Sequence, residues 1–176
     1  MKNIIAFAGS NSKQSINKQL VAYTSTLVDN VKATVLDLND FDMPLFGVDL
    51  EEQMGQPETA YKFLEYIKSS DGIIVSLAEH NGAYSSAFKN LFDWMSRIDS
   101  KIFAGKPMLL MATSPGARGG ASVLAIAKDR FPRHEANIVA EFSLPSFNDN
   151  FSDGKISNPE LNDELLNEVN KFKIAL

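Results

Sequence analysis

The chain contains no cysteine, which excludes disulfides, zinc–thiolate centres, iron–sulfur clusters and thiol redox chemistry together. Basic residues are in deficit: 17 Lys and Arg against 22 Asp and Glu leave a formal net charge of −5 and a pI near 5.0. A chain of that balance lacks the basic face that grips phosphate backbones, so no nucleic-acid partner is expected. No apolar run approaches the ~20 residues that cross a bilayer. The start, Met1-Lys2-Asn3-Ile4, lacks the apolar core and cleavage site of a signal peptide. No membrane partner is expected, and the cytoplasm is the natural compartment. Only two histidines occur, His80 and His134, and there is neither a Gly-x-Ser-x-Gly elbow nor a Gly-x-Gly-x-x-Gly turn. The first shortage leaves a serine hydrolase short of a base, and the second removes the Rossmann dinucleotide fingerprint. One further absence is local: no Asp or Glu stands between Met1 and Val28.

What does stand in that acid-free window is Phe7-Ala8-Gly9-Ser10-Asn11-Ser12-Lys13-Gln14-Ser15-Ile16-Asn17. It follows an apolar run, Ile4–Ala8, that reads as a buried strand, and it leads into a helical pattern beginning near Asn17. A strand–loop–helix unit rich in hydroxyls and amides is a phosphate cradle. Backbone N–H groups at the helix start face the anion, the helix dipole favours negative charge there, and short hydroxyls complete the shell. A cap at Ser15 or Asn17 needs one such residue, whereas this loop holds three serines and two asparagines.

Hydrophobic content of 44% and charged content of 22% are ordinary for a globular chain, and 176 residues read as one domain, 1–176, with room for a core. Apolar runs alternate with helical patterns throughout. Strands are expected at Ile4–Ala8, Ala33–Leu38, Asp71–Leu77, Pro107–Thr113 and Ile138–Phe142. Helices are expected near Asn17–Asp29, Pro57–Ser69, Ser85–Arg97, Gly119–Arg130 and Pro159–Phe172, and Asn39–Gln56 reads as irregular. Strands apolar on both faces and separated by helices imply a parallel sheet covered on both sides. Five such units suggest an α/β, three-layer flavodoxin-like sandwich with a five-stranded parallel sheet in the order 2-1-3-4-5. There the loops after strands 1, 3 and 4 meet at one sheet edge. The second of these reads Ala78-Glu79-His80-Asn81-Gly82-Ala83-Tyr84-Ser85 and the third Thr113-Ser114-Pro115-Gly116-Ala117-Arg118-Gly119-Gly120. Asn81-Gly82 tolerates positive φ, and the glycines of the third loop let backbone approach a flat ligand. Together they suggest a mononucleotide with a planar ring.

These motifs resemble those of the NADPH-dependent FMN reductase family, the flavodoxin-like quinone, chromate and azo-dye reductases. The family's Gly-Ser-x-Arg-x-x-Ser-x-Asn phosphate loop is matched by Gly9–Asn17. Its Pro-Glu-Tyr-Asn-Gly and Leu-Lys-Asn-x-x-Asp-Trp segments are matched by Ala78–Gly82 and Phe88–Trp94. Its Gly-Lys-Pro and Ser-Pro-Gly-x-x-Gly-Gly segments are matched by Gly105–Pro107 and Ser114–Gly120. The similarity runs from about residue 3 to 150. It implies FMN as cofactor, NADPH or NADH as co-substrate, a small-molecule electron acceptor, a two-step hydride transfer carried by the flavin, and a homodimer or homotetramer. The implied cofactor contacts are Ser10, Ser12, Lys13, Ser15, Ile16 and Asn17 at the phosphate. At the ring they are Ala78, Glu79, His80, Asn81 and Gly82, with Ser114, Pro115, Gly116, Arg118 and Gly119. No catalytic side chain and no metal are implied, because the cofactor does the chemistry.

Departures from the pattern matter. Ser12 replaces the family arginine, and a hydroxyl does not replace a guanidinium's charge; Lys13 is the neighbouring substitute. His80 replaces a tyrosine, Ala78 a proline, and a proline near Ser85–Ser86 is missing. Other residues carry a weighed reading. Glu79 orients its loop or, more simply, is solvated. Arg118 meets nucleotide phosphates or lies on the surface. Trp94 with Phe88, Phe92 and Met95 is a packing stripe rather than a cofactor box. Phe41–Phe46 roofs the flavin or reaches a neighbouring subunit, and His134 is placed at the surface. The competing function is a flavodoxin-type electron shuttle or flavin sensor without its own turnover.

Overall fold

A computed structural model describes residues 1–176. Five parallel strands form the central sheet: β1 (Lys2–Gly9), β2 (Val31–Leu36), β3 (Gly72–Leu77), β6 (Pro107–Thr113) and β7 (Asn137–Leu144), in the order β2-β1-β3-β6-β7. Two short strands, β4 (Glu79–His80) and β5 (Ala83–Tyr84), form a separate hairpin after β3. With that hairpin set aside the order is 2-1-3-4-5, as the sequence pattern predicts. The sheet is apolar on both faces because each strand alternates its residues between two layers of core. Ile4 and Ala6 join one layer with Leu20 and Val21 of α1 (Ile16–Thr26) and Leu165, Val169 and Phe172 of α7 (Pro159–Ala175). Ile5 and Phe7 join the other with α3 (Glu58–Ser69), α4 (Ser86–Ile98) and α5 (Ala121–Arg130). Trp94, Phe88, Phe92 and Met95 are all buried, so the stripe on α4 is packing, as read.

Two local expectations change. The second strand spans Val31–Leu36 rather than Ala33–Leu38, because Asp37 leaves the ladder and accepts the Asn39 N–H at 3.0 Å, opening a 3₁₀ turn over Leu38–Asp40. The stretch Asn39–Gln56 is not irregular throughout: it holds α2 (Val48–Met54), set between Gly47 and Gly55. This helix buries none of its side chains and therefore shows no apolar stripe. Its anchor is polar, with Arg97 Nε donating to both Glu51 oxygens at 3.0 and 2.9 Å. The preceding loop is pinned from α4: Trp94 Nε1 and Asn90 Nδ2 both donate to the Pro44 carbonyl, at 2.8 and 3.0 Å, and Phe46 N donates to Asn90 Oδ1 at 2.7 Å. Beyond β7 lie α6 (Phe147–Asn150) and a hairpin of β8 (Phe151–Ser152) and β9 (Lys155–Ile156), none of which the pattern predicts. No helix is long and apolar enough to cross a membrane.

Candidate functional site

The carboxyl ends of β1, β3 and β6 open onto a cleft of about 300 Å³ lined by Ser10, Ser12, Gln14, Ser15, Ile16 and Asn17 on one side and by Ala78, Glu79, His80, Thr113, Ser114 and Pro115 on the other. The loop from Ser10 folds upon itself through its own hydroxyls. Ser12 N donates to Ser10 Oγ at 3.2 Å, Gln14 N to Ser12 Oγ at 3.3 Å, and Lys18 N to Ser15 Oγ at 3.1 Å, so Ser15 caps α1. Each hydroxyl thus accepts a bond, and none donates one within the chain. A serine oxygen carries one proton to give, so three O–H donors stand unspent. The N–H groups of Ile16 and Asn17, in the first turn of α1, also have no partner in the chain. No acidic residue occupies that turn. Unspent donors at a helix N-terminus ask for an acceptor with several oxygens and negative charge, and a phosphate group fits that donor set.

Charge at the cradle is sparse. Lys18 is spent on an ion pair with Asp37. Burial alone would push the Asp37 carboxyl up, but hydrogen bonds from Lys18 and Asn39 outweigh it and hold the carboxyl below its ordinary range. Lys13 is exposed, does not line the cleft and makes no ion pair, so its charge is the one free to move toward a bound anion. Asn17 behaves differently from its neighbours: it is 3% exposed, and its amide turns inward to Ser76 and Thr113.

Opposite the cradle stands the β4–β5 hairpin. Asn81 (φ 52°) and Gly82 (φ 77°) occupy its two-residue turn, and left-handed values at both central positions define the type I′ turn that Asn-Gly favours. The turn directs His80 to the cleft and keeps Asn81 and Gly82 off its wall. Glu79 is not simply solvated: its Oε2 accepts the Val123 N–H at 2.9 Å, satisfying a free donor in the first turn of α5 and tying the hairpin to that helix.

The third loop is split. Ser114 and Pro115 line the cleft, whereas Gly116, Arg118 and Gly119 do not. Gly119 (φ 56°) is dictated by packing, since a Cβ there would lie 2.3 Å from Ser143 Oγ and 3.0 Å from Pro145 N. Arg118 is exposed and donates to Ser122 Oγ at 3.0 Å.

The expected residues that line the cleft are therefore Ser10, Ser12, Ser15, Ile16, Asn17, Ala78, Glu79, His80, Ser114 and Pro115. Gln14 and Thr113 also line it, though neither is among the implied cofactor contacts; Thr113 reads as the end of the fourth major strand and the start of the loop after it. Ser85, read only as the junction between the second loop and its helix, has a positioning role. It is 1% exposed, caps α4 at Phe88 N (3.1 Å) and donates to the Gly9 carbonyl at 2.8 Å, fixing the point where the cradle leaves β1. His134 is not at the surface: it is 7% exposed, Nδ1 faces the Ser100 carbonyl at 2.8 Å, and the ring packs edge-on to Phe92 at 4.8 Å, far from any role in the cleft. A second hollow of about 340 Å³ lies on the other flank of the loop, lined by Asn11, Phe41, Met43 and Asn90 among others. The Asn90 amide is already satisfied by the Pro44–Phe46 backbone.

Both the sequence and the fold have known counterparts. The family model for NADPH-dependent FMN reductase matches residues 2–149. The quinone reductase of Escherichia coli (strain K12) is 33% identical over 119 residues, covering 67% of this chain and 63% of that protein. The match therefore spans less than two thirds of that relative's own length. A probable NADPH:quinone oxidoreductase 2 from Oryza sativa subsp. japonica is 26% identical over 171 residues, covering 92% of this chain and 82% of the plant protein. Among solved structures, the flavoenzyme NAD(P)H:(acceptor) oxidoreductase FerB from Paracoccus denitrificans superposes with a TM-score of 0.78 over 99% of this chain and 97% of its own, at 23% identity. That likeness shows a shared fold.

Proposed function

The chain belongs to the NADPH-dependent FMN reductase family, and we propose that it holds FMN in the Ser10–Pro115 cleft and reduces a small acceptor, a quinone or a free flavin, at the expense of NADPH or NADH. The observation that carries this reading is the donor set of the cradle: three serine hydroxyls whose protons are unspent, beside the two unpartnered N–H groups of Ile16 and Asn17. Held by these residues, FMN would supply a two-electron redox centre for ping-pong hydride transfer from NADPH or NADH to the acceptor.

The chain's own part is to bind and to orient. Ser10, Ser12 and Ser15 donate to the phosphate, and the α1 dipole favours its charge. Lys13 adds long-range attraction without a fixed contact. Ala78, Glu79 and His80, with Ser114 and Pro115, border the ring and leave one face open to a second substrate. Arg118 and Gly119 tie the third loop to Ser122 and Ser143, and the Gly116 carbonyl accepts the Ser146 N–H, so these residues set the shape of the loop. No side chain is assigned a proton-transfer role. Leu45, Val48 and Met54 are exposed on one segment, which supports self-association through that segment in a homodimer or homotetramer.

The test is direct. Purified protein titrated with FMN should quench flavin fluorescence at micromolar concentration, and the loaded protein should oxidise NADPH rapidly when benzoquinone is supplied. Quenching without turnover would reassign the chain to the electron carriers. No quenching at all would end the flavin reading.

A further inference from the structure

The β3–β6 ladder ends at the Leu77–Ala112 pair. Thr113, the next residue of β6, has no strand beside it on that flank, yet both of its backbone groups are satisfied there. Asn17 Nδ2 donates to the Thr113 carbonyl at 3.2 Å, and the Thr113 N–H donates to Asn17 Oδ1 at 3.0 Å. Those are the two groups a neighbouring peptide unit would offer, so the side-chain amide extends the ladder by one rung. Ser76, inside β3, donates its hydroxyl to the same Oδ1 at 2.7 Å. Asn17 is 3%, Ser76 0% and Thr113 1% exposed, so the whole junction is dry. Both lone pairs of Oδ1 are occupied from inside the protein.

We propose that Asn17 is a positioning residue: its amide bolts the N-terminal turn of α1 across β3 to the end of β6, so that the anion cradle and the Ser114–Pro115 wall form one rigid grip on both ends of the flavin. The proposal rests on the flavin reading above. Ser85 holds the other end of the cradle through the Gly9 carbonyl, which leaves the Asn17 junction as the link that sets its distance from the third loop. A direct ligand of the phosphate would have presented its amide outward; this one acts through Thr113 and Ser76.

Ser76→Ala removes one of the three bonds from a residue that no ligand reaches, and Asn17→Ala removes all three. Titration of the unloaded protein with FMN and with riboflavin, which lacks the phosphate, separates the two roles. Positioning weakens both ligands, by about fivefold for Ser76→Ala and about fiftyfold for Asn17→Ala, since each buried bond is worth about tenfold or less. It also perturbs the visible absorption band of the flavin bound at saturation. A loss confined to FMN, with riboflavin binding unchanged in both variants, would make Asn17 an ordinary phosphate ligand and overturn the inference. Unchanged binding of both ligands by Ser76→Ala would overturn it as well, and that variant stands if Asn17→Ala does not fold. Failure of the wild-type protein to bind either flavin would sink the parent reading instead.

Discussion

Replacing Ser15 by aspartate separates the charge of the cradle from its architecture. Ser15 caps α1 by accepting the Lys18 N–H at 3.1 Å. Aspartate ranks with serine at that position, so the helix start survives the change. Its carboxylate at a helix N-terminus adds about 0.3–1 kcal/mol of stability, which is about 1–4 °C in melting temperature for a chain of this size. The ligand experiences the opposite. A phosphate monoester carries about −1.5 to −2 at neutral pH. One further negative charge about 5 Å away, at an effective dielectric of about 40 for an open cleft, costs about 2.5 kcal/mol. The lost O–H donor costs about 1.5 kcal/mol more, the lower end for a hydrogen bond to a charged group. The total, about 4 kcal/mol, corresponds to about a thousandfold in Kd. Fluorescence titration with FMN and a thermal melt of the unloaded protein should therefore move in opposite directions. Ser15→Asn, neutral and able to cap, serves as the control and should stay within about tenfold of wild type. Added salt should shrink the aspartate penalty, because exposed charges are screened over about 8–10 Å. An aspartate variant that binds FMN within threefold of wild type would refute the placement of the phosphate.

Other outcomes follow from the same geometry. Tyr84 Oη is buried without a hydrogen-bond partner, and burial foremost pushes its phenol up to about 12. Tyr84→Phe should raise stability by about 1 kcal/mol. Because the raised value favours the neutral form in the folded chain, wild-type stability should fall as pH rises from about 10 toward 12, and the variant should lose that alkaline limb in melts across the range. At the acid end, burial pushes the Asp37 carboxyl up, but the hydrogen bonds from Lys18 and Asn39 together outweigh it and hold the group below its ordinary range. A lowered carboxyl stabilises above the unfolded value and loses that contribution as pH falls below about 4; Asp37→Asn should flatten the wild-type decline in melting temperature there. Gly82→Ala, at φ 77° where a Cβ would meet only Ser122 Cβ at 4.0 Å, should cost about 1 kcal/mol of backbone strain. Gly119→Ala, which must displace Ser143 and the Pro145 backbone, should cost at least twice that in urea unfolding. Equal losses would contradict the packing argument.

The layered architecture was legible because its signal is local. Strands such as Ile4–Ala8 and Ile73–Leu77 are apolar at every position, and α4 repeats its large side chains at helical spacing. The serine-rich loop at the start of α1 was legible for the same reason: Ser10, Ser12 and Ser15 lie within six residues and accept bonds from backbone close by in sequence. What escaped depends on partners far along the chain. The inward turn of Asn17 requires Ser76 and Thr113, 59 and 96 residues away. Glu79 looks like any exposed acid until α5 brings the Val123 N–H to it, 44 residues on. His134 beside Arg133 reads as surface because the Ser100 carbonyl that receives it lies in another loop. Helix α2 was missed for a different reason: with no side chain buried, it has no periodicity to read.

Trp94 is the sole indole of the chain, wholly enclosed, edge-on to Phe46 at 5.0 Å and bonded to the Pro44 carbonyl. The molecule thus carries a built-in optical gauge of whether the Phe41–Phe46 strap is seated. Blue emission reports a seated strap, and a shift to the red, observed without any label, reports its release.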